Sequence, residues 1–307
     1  MINKQKSFVS AVIYVHNNED NISDFLRTVY GVFSKNFERS EIICVNDASS
    51  DRSVNFIKET SEDFVNCSTS IVHMSFFQGV EKSMNAGVDI AIGDYVFEFD
   101  SCIQDYNDDL IMDVFNKSLE GYDIVAAKPK KKKIPSLLFY KLYNSLSNSP
   151  QSISTEVFKL ISRRAINRIN VLSKTVPYRK AVYANSGLSF FSVEYSPDGS
   201  KKDNRRTRGR INVALSVLIL FTDVAYKIAT ILSVAMILAT VATAIYAVIV
   251  YISQNPVPGF TPLILVMTLS FSAVFAIFAI IIKYLSIITD LVFINLNYVV
   301  GDVEKVK

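Results

Sequence analysis

Two hydrophobic periodicities alternate along the first part of the chain. Short runs rich in β-branched and aromatic residues, FVSAVIYV, EIICVND, STSIVHM and DYVFEFD, predict strands. Between them, NISDFLRTVYGVFSKN, DRSVNFIKETSED and GVEKSMNAGVDIA carry apolar residues at helical spacing and predict helices. Repetition of this kind predicts an α/β domain with a mainly parallel sheet, in which ligands collect beyond the carboxyl ends of the strands. Three of those ends carry polar clusters: HNNED after the first strand, NDASSD after the second and DSCIQD after the fourth. A further strand-like run, YDIVAA, leads into Lys128 and Lys130.

Toward the C-terminus the pattern changes. From Ile211 to Ile282 only Asp223 and Lys227 are charged, and the windows Ile228 to Ile252 and Phe260 to Ile282 carry no charge at all. Each window exceeds the roughly 20 residues that cross a bilayer core. SQNPVPGFT lies between them, with two prolines and a glycine that stop a helix and favour a reversal. The expected organisation is a domain over 1–200, a basic juxtamembrane segment and interfacial helix over 201–227, a transmembrane helical hairpin over 228–285, and a tail over 286–307. Lys201 to Arg210 holds six basic residues and one acid, while the hairpin loop holds no Lys or Arg. Both termini are therefore expected in the cytoplasm. MINKQKSFVSAVIYV lacks the apolar core and cleavage site of a signal peptide, in keeping with a cytoplasmic first domain.

Charge and cysteine content refine this reading. The net charge is only +3, and its local meaning lies in KPKKKK (Lys128 to Lys133) and the basic run before the membrane. That position favours anionic headgroups or a phosphorylated lipid over nucleic acid. Cys44, Cys67 and Cys102 are odd in number and form no CxxC pair, which fits free thiols in a reducing compartment.

Taken one at a time, the polar strand ends serve equally as turns and helix caps, and the lysines as a solvated face. Their order is more specific. IYVHNNEDNI resembles the V-P-x-Y-N-E-E-x-N-I opening of the family 2 glycosyltransferases, and VNDASSDRS resembles their V-x-D-x-S-x-D-x-[ST] motif. DSCIQD, FKLISRR (Phe158 to Arg164) and NPVPGFTPLI are similar to the D-A-D-L-Q-D, F-R-L-L-S-R-R and V-P-G-W-T-S-L-I segments of the polyprenyl-phosphate branch. The resemblance implies a GT-A-type, Rossmann-like domain followed by an interfacial helix and a two-helix membrane hairpin. It also implies inverting transfer of a sugar from a nucleotide diphosphate, a uridine nucleotide, to a polyprenyl phosphate at the plasma membrane. Mg²⁺ or Mn²⁺ is the implied cofactor, and a homo-oligomer the implied assembly.

By the same resemblance, Glu19, Asp47 and Asp51 hold the nucleotide, Asp100 and Asp105 are catalytic, and Asp100 and Gln104 hold the metal. Lys128, Lys130, Lys159 and Arg164 are the implied diphosphate or lipid-phosphate contacts. Two departures stand out. Phe76, Phe77, Gln78 and Gly79 occupy the place of an R-N-x-G turn, and Cys102 replaces the second Asp of D-A-D. A thiol is a poor ligand for Mg²⁺, so a catalytically weak or silent membrane scaffold is the alternative reading. Glu98, two residues before Asp100 on the same strand face, is either an additional ligand or a buried structural group.

Overall fold

The computed structural model describes residues 4–130, 153–172, 179–197 and 298–307, with isolated helical positions between 238 and 288. The chain divides into two units, one of residues 1–144, 149–207 and 296–307, the other of residues 145–148 and 208–295. The first unit carries strands β1 (Gln5–Val15), β2 (Phe37–Asn46), β3 (Cys67–Met74) and β4 (Tyr95–Phe99). It continues with β5 (Ile124–Pro129), β6 (Phe158–Ser162), β7 (Phe190–Tyr195) and β8 (Val300–Lys305). Helices α1 (Ile22–Asn36), α2 (Ser53–Ser61), α3 (Val80–Ile90) and α4 (Asp109–Ser118) connect the first five strands. Two more, α5 (Arg163–Leu172) and α6 (Arg179–Asn185), lie between β6 and β7.

The strands form a single sheet in the order β7-β5-β6-β4-β1-β2-β3-β8. Pairing is parallel from β3 through β2 and β1 to β4, and again between β5 and β7. β6 runs antiparallel between β4 and β5, and β8 antiparallel along the outer edge of β3. The mainly parallel sheet expected from the sequence is present, and each of its predicted strands and helices is found.

Alternation along β1 builds two cores. Val9, Ala11, Ile13 and Val15 pack with Phe25, Leu26 and Val29 of α1 and with Ile111 and Val114 of α4. Val12 and Tyr14 face the other way, toward Met84, Ala86 and Val88 of α3 and Ala165, Ile166 and Ile169 of α5. A strand buried on both faces must be apolar at successive positions, which is why AVIYV is unbroken. Each helix contributes one apolar stripe; in α1 it runs through Ile22, Phe25, Leu26, Val29, Val32 and Phe33. Helix α3 sits especially close to the sheet. A Cβ at Gly87 would lie 2.4 Å from Val12 Cγ1 and 2.6 Å from Val45 Cγ2.

Among the described residues no helix is long and apolar enough to cross a membrane. The predicted juxtamembrane segment and hairpin, 201–285, fall outside the described residues except at isolated positions. Those positions in the second unit include Leu263, Met267, Val274, Phe278, Ile281 and Leu285, all helical and all exposed. In the first unit, residues 300–305 of the predicted tail join the sheet as β8.

Candidate active site

The parallel order reverses between β1 and β4, and the carboxyl ends of β1, β2 and β4 meet there. This is the position where open α/β sheets form their ligand crevice. The loops after β1 and β2 are stitched together by reciprocal bonds. Arg52 N–H donates to Glu19 Oε2 at 3.0 Å, and Glu19 N–H donates to Asp51 Oδ2 at 3.0 Å. Asp51 Oδ1 also accepts from Ser53 N–H at 3.0 Å. Glu19 and Asp51 thus satisfy open amides at the start of α2, the capping role expected of such residues. Asn17 and Ala48, both at φ 50, bend the two loops. For alanine this is a strained conformation of the kind that collects at sites.

Asp47 is placed differently from the expectation of an open nucleotide ligand. It is 0% exposed, and its carboxylate accepts from Tyr14 O–H at 2.9 Å, Gln78 N–H at 2.7 Å and Gly79 N–H at 2.8 Å. With three internal donors and no exposed surface, it anchors the β3–α3 loop rather than facing a ligand. Gly79, at φ 85, makes the turn that aims these amides at Asp47 at the start of α3.

Around the end of β4 lies a buried ion cluster. Arg179, 1% exposed, donates to Glu98 Oε2 at 2.6 Å and Asp100 Oδ1 at 2.5 Å, with Nε 3.2 Å from Glu81 Oε2. Glu98 also accepts from Tyr183 O–H at 2.7 Å and lies 3.5 Å from Lys159 Nζ. Burial alone would raise the Asp100 carboxyl, but the charges of Arg179, Lys159 and Lys180 hold it well below the usual carboxylate range. Burial and the neighbouring Glu98 push the Tyr183 phenol well up, so it stays a neutral donor. Of the open choices for Glu98, the structure takes the buried structural one. Arg179, Tyr183 and Glu81 were missed from the sequence, where only the same-face spacing of Glu98 and Asp100 along the strand hinted at a second charge.

Several other expectations are rearranged. Lys159 lies 2% exposed inside this cluster, so it faces Glu98 rather than an incoming phosphate. Antiparallel register sets Phe158 beside Phe99 and Ser162 beside Tyr95, so Arg164 falls at the opposite end of β4 from Asp100. There its guanidinium holds Asp123 at 2.6 Å. Lys128 and Lys130 do lie at the ligand end, past the Ala127–Phe158 pair, with Lys128 3.2 Å from Glu194. Asp105 accepts from Tyr195 O–H at 2.7 Å.

As for a metal, the donor set is short. Cys102 is 2% exposed with Sγ 3.4 Å from the Tyr14 carbonyl, turned into the core. Gln104 directs its amide nitrogen to Tyr106 O and Asp108 Oδ1, at 3.0 and 2.6 Å. Among the described residues no group of three or more His, Cys, Asp or Glu side chains is arranged around a metal position. Asp100 and Gln104 carry oxygen donors of the hard type that Mg²⁺ takes, and Asp100 already holds Arg179.

Comparisons with known proteins bear on the family and the fold. An uncharacterised glycosyltransferase of Synechocystis is 30% identical over 183 residues, 57% of each chain. A prophage bactoprenol glucosyl transferase homologue of Escherichia coli is 28% identical over 196 residues, 61% of this chain and 62% of its own. The matches thus span less than two thirds of these relatives' lengths. In fold, the chain is similar to a Pyrobaculum calidifontis mannosyltransferase solved with GDP-mannose and Mn²⁺. The TM-score is 0.52 at 13% identity, covering 70% of this chain and 64% of that one. Residues 10–183, which run from β1 through the crevice to Tyr183, match the family described as Glycosyl transferase family 2, and the chain belongs to that family.

Proposed function

We propose that the protein is a membrane-anchored, inverting glycosyltransferase. It moves a sugar from a nucleoside-diphosphate donor, a uridine nucleotide, to a polyprenyl phosphate on the cytoplasmic leaflet of the plasma membrane. The observation that carries this reading is Asp100, a carboxylate at the strand-end crevice of a family 2 domain, kept ionised by buried cations. The acceptor is supported by the relative named for bactoprenol and by the charge-free windows 228–252 and 260–282. Homo-oligomerisation belongs to the same proposal.

A phosphate monoester has a second pKa of about 6, so the acceptor oxygen is already charged near neutrality and needs no strong base. The departing diphosphate is the harder problem, because its developing charge needs positive partners. Lys128 and Lys130 at the ligand end, with Lys180 near Asp100, supply them. Mg²⁺ or Mn²⁺ would be held by Asp100 and Gln104 and would add charge neutralisation at the leaving group. Asp105, whose carboxylate accepts from Tyr195 O–H, is the second catalytic carboxylate of this reading.

Purified full-length protein, given undecaprenyl phosphate, Mg²⁺ or Mn²⁺ and a panel of nucleotide sugars, is expected to release nucleoside diphosphate. No release above a blank would overturn the reading. A second reading, a catalytically silent scaffold for glycan assembly, is favoured by the inward-turned Cys102 and by the hold of Arg179 on Asp100. Titration calorimetry separates the two, since a silent scaffold shows no metal-dependent affinity for nucleotide sugars.

A further inference from the structure

Most phenylalanines of the first unit pack into its cores, but two neighbours do not. Phe76 and Phe77 are 57% and 58% exposed and are the exposed phenylalanines among that unit's described residues. Leaving a phenyl ring in water forgoes roughly 1.5–3 kcal/mol of burial, so adjacent exposed rings at a ligand crevice call for an occupant. They lie just beyond the end of β3, beside the loops that follow β1 and β2.

The Phe77 ring is backed rather than loose. Its centroid is 4.6 Å from that of His16, at 50° between planes, and His16 Nδ1 lies 2.6 Å from the Asp47 carbonyl oxygen. The backbone that follows is pinned on two sides. Asp47 accepts from Gln78 N–H and Gly79 N–H, while the Gln78 side chain pairs with the backbone of Val299 at 2.7 and 2.9 Å. A ring fixed in this way loses little freedom when a flat partner settles on it. Asp47 itself is sealed, so an aromatic face is what this part of the crevice offers a base.

We propose that Phe77, backed by His16 and flanked by Phe76, is the platform on which the base of a nucleoside diphosphate stacks. The proposal rests on the glycosyl-transfer reading of the same crevice and assigns the base a partner outside the carboxylates implied by the family motifs. Stacking on an aromatic side chain tolerates any base, because each has a π-face.

Titration calorimetry of UDP against the full-length chain in detergent with Mg²⁺ tests this. Phe77→Ala is expected to weaken binding by about tenfold, and Phe77→Tyr to stay within about threefold of the parent. As a surface change, Phe77→Ala should leave the thermal midpoint where it was. Parent affinity retained within about twofold in Phe77→Ala would overturn the platform. That includes the outcome in which the variant instead loses affinity for anionic vesicles, which would assign the ring to a lipid surface. If the parent chain binds no nucleoside diphosphate, the functional reading fails and the platform with it. If the parent binds and the alanine variant binds equally, the platform alone fails.

Discussion

Arg179 meets the carboxylates of Glu81, Glu98 and Asp100 from inside the protein. The Glu98 side chain is fully enclosed, so removing the guanidinium would leave a buried charge answered by Lys159, at 3.5 Å, and by the neutral Tyr183 O–H. Arg179→Met is therefore expected to destabilise the chain by about 3–5 kcal/mol, read as a lowered unfolding midpoint. Adding Glu98→Gln to that variant should recover part of the loss, since the orphaned charge is then gone. Asp100 drew attention in the sequence through the likeness of DSCIQD to D-A-D-L-Q-D, since a polar strand end taken alone serves equally as a turn or a cap. Arg179 did not: it stands among the basic and small residues of PYRKAVYAN, 81 positions from Glu98, and acquires its role only when α6 folds onto β4. The same holds for Asp47, whose motif was visible but whose burial depends on amides from the loop after β3.

Elements were read well wherever periodicity is long and apolar, as in β1 or α1, and poorly where pairing alone makes the structure. VGDVEK has little strand character, yet it becomes β8 because the open edge of β3 accepts it, from Ser70–Lys305 to Met74–Val300. Asp302 and Glu304 on this new outer strand discourage further pairing. Lys159 and Arg164 looked alike as motif positions, and only the register of β6 on β4 sends them to opposite ends. The Gln78–Val299 clamp ties β8 to the loop that carries Phe77. Gln78→Ala would leave the Val299 backbone groups without that partner. It is expected to speed amide exchange across 300–305 by about tenfold while α1 exchanges as before. Unchanged exchange in β8 would show that the clamp holds nothing.

At the scale of the whole molecule, the chain leaves the sheet, runs through the long apolar stretch, and comes back to hydrogen-bond with β3. That return imposes a parity rule. A polypeptide whose last strand shares a sheet with its first can traverse a bilayer only an even number of times, whatever its helices look like. Sidedness is then a property of backbone pairing as well as of the basic residues flanking the apolar windows. With the two apolar windows spanning as proposed, cysteines introduced by Lys6→Cys and Asp302→Cys should react with an impermeant reagent from one face of sealed vesicles, and Ser253→Cys from the other. Opposite-face labelling of the first two would be incompatible with β8 in its place. On the proposed membrane-anchored reading the rule also reaches biogenesis: the edge of β3 would stay open until both apolar windows had been inserted, so the sheet would close only after the membrane had accepted the chain.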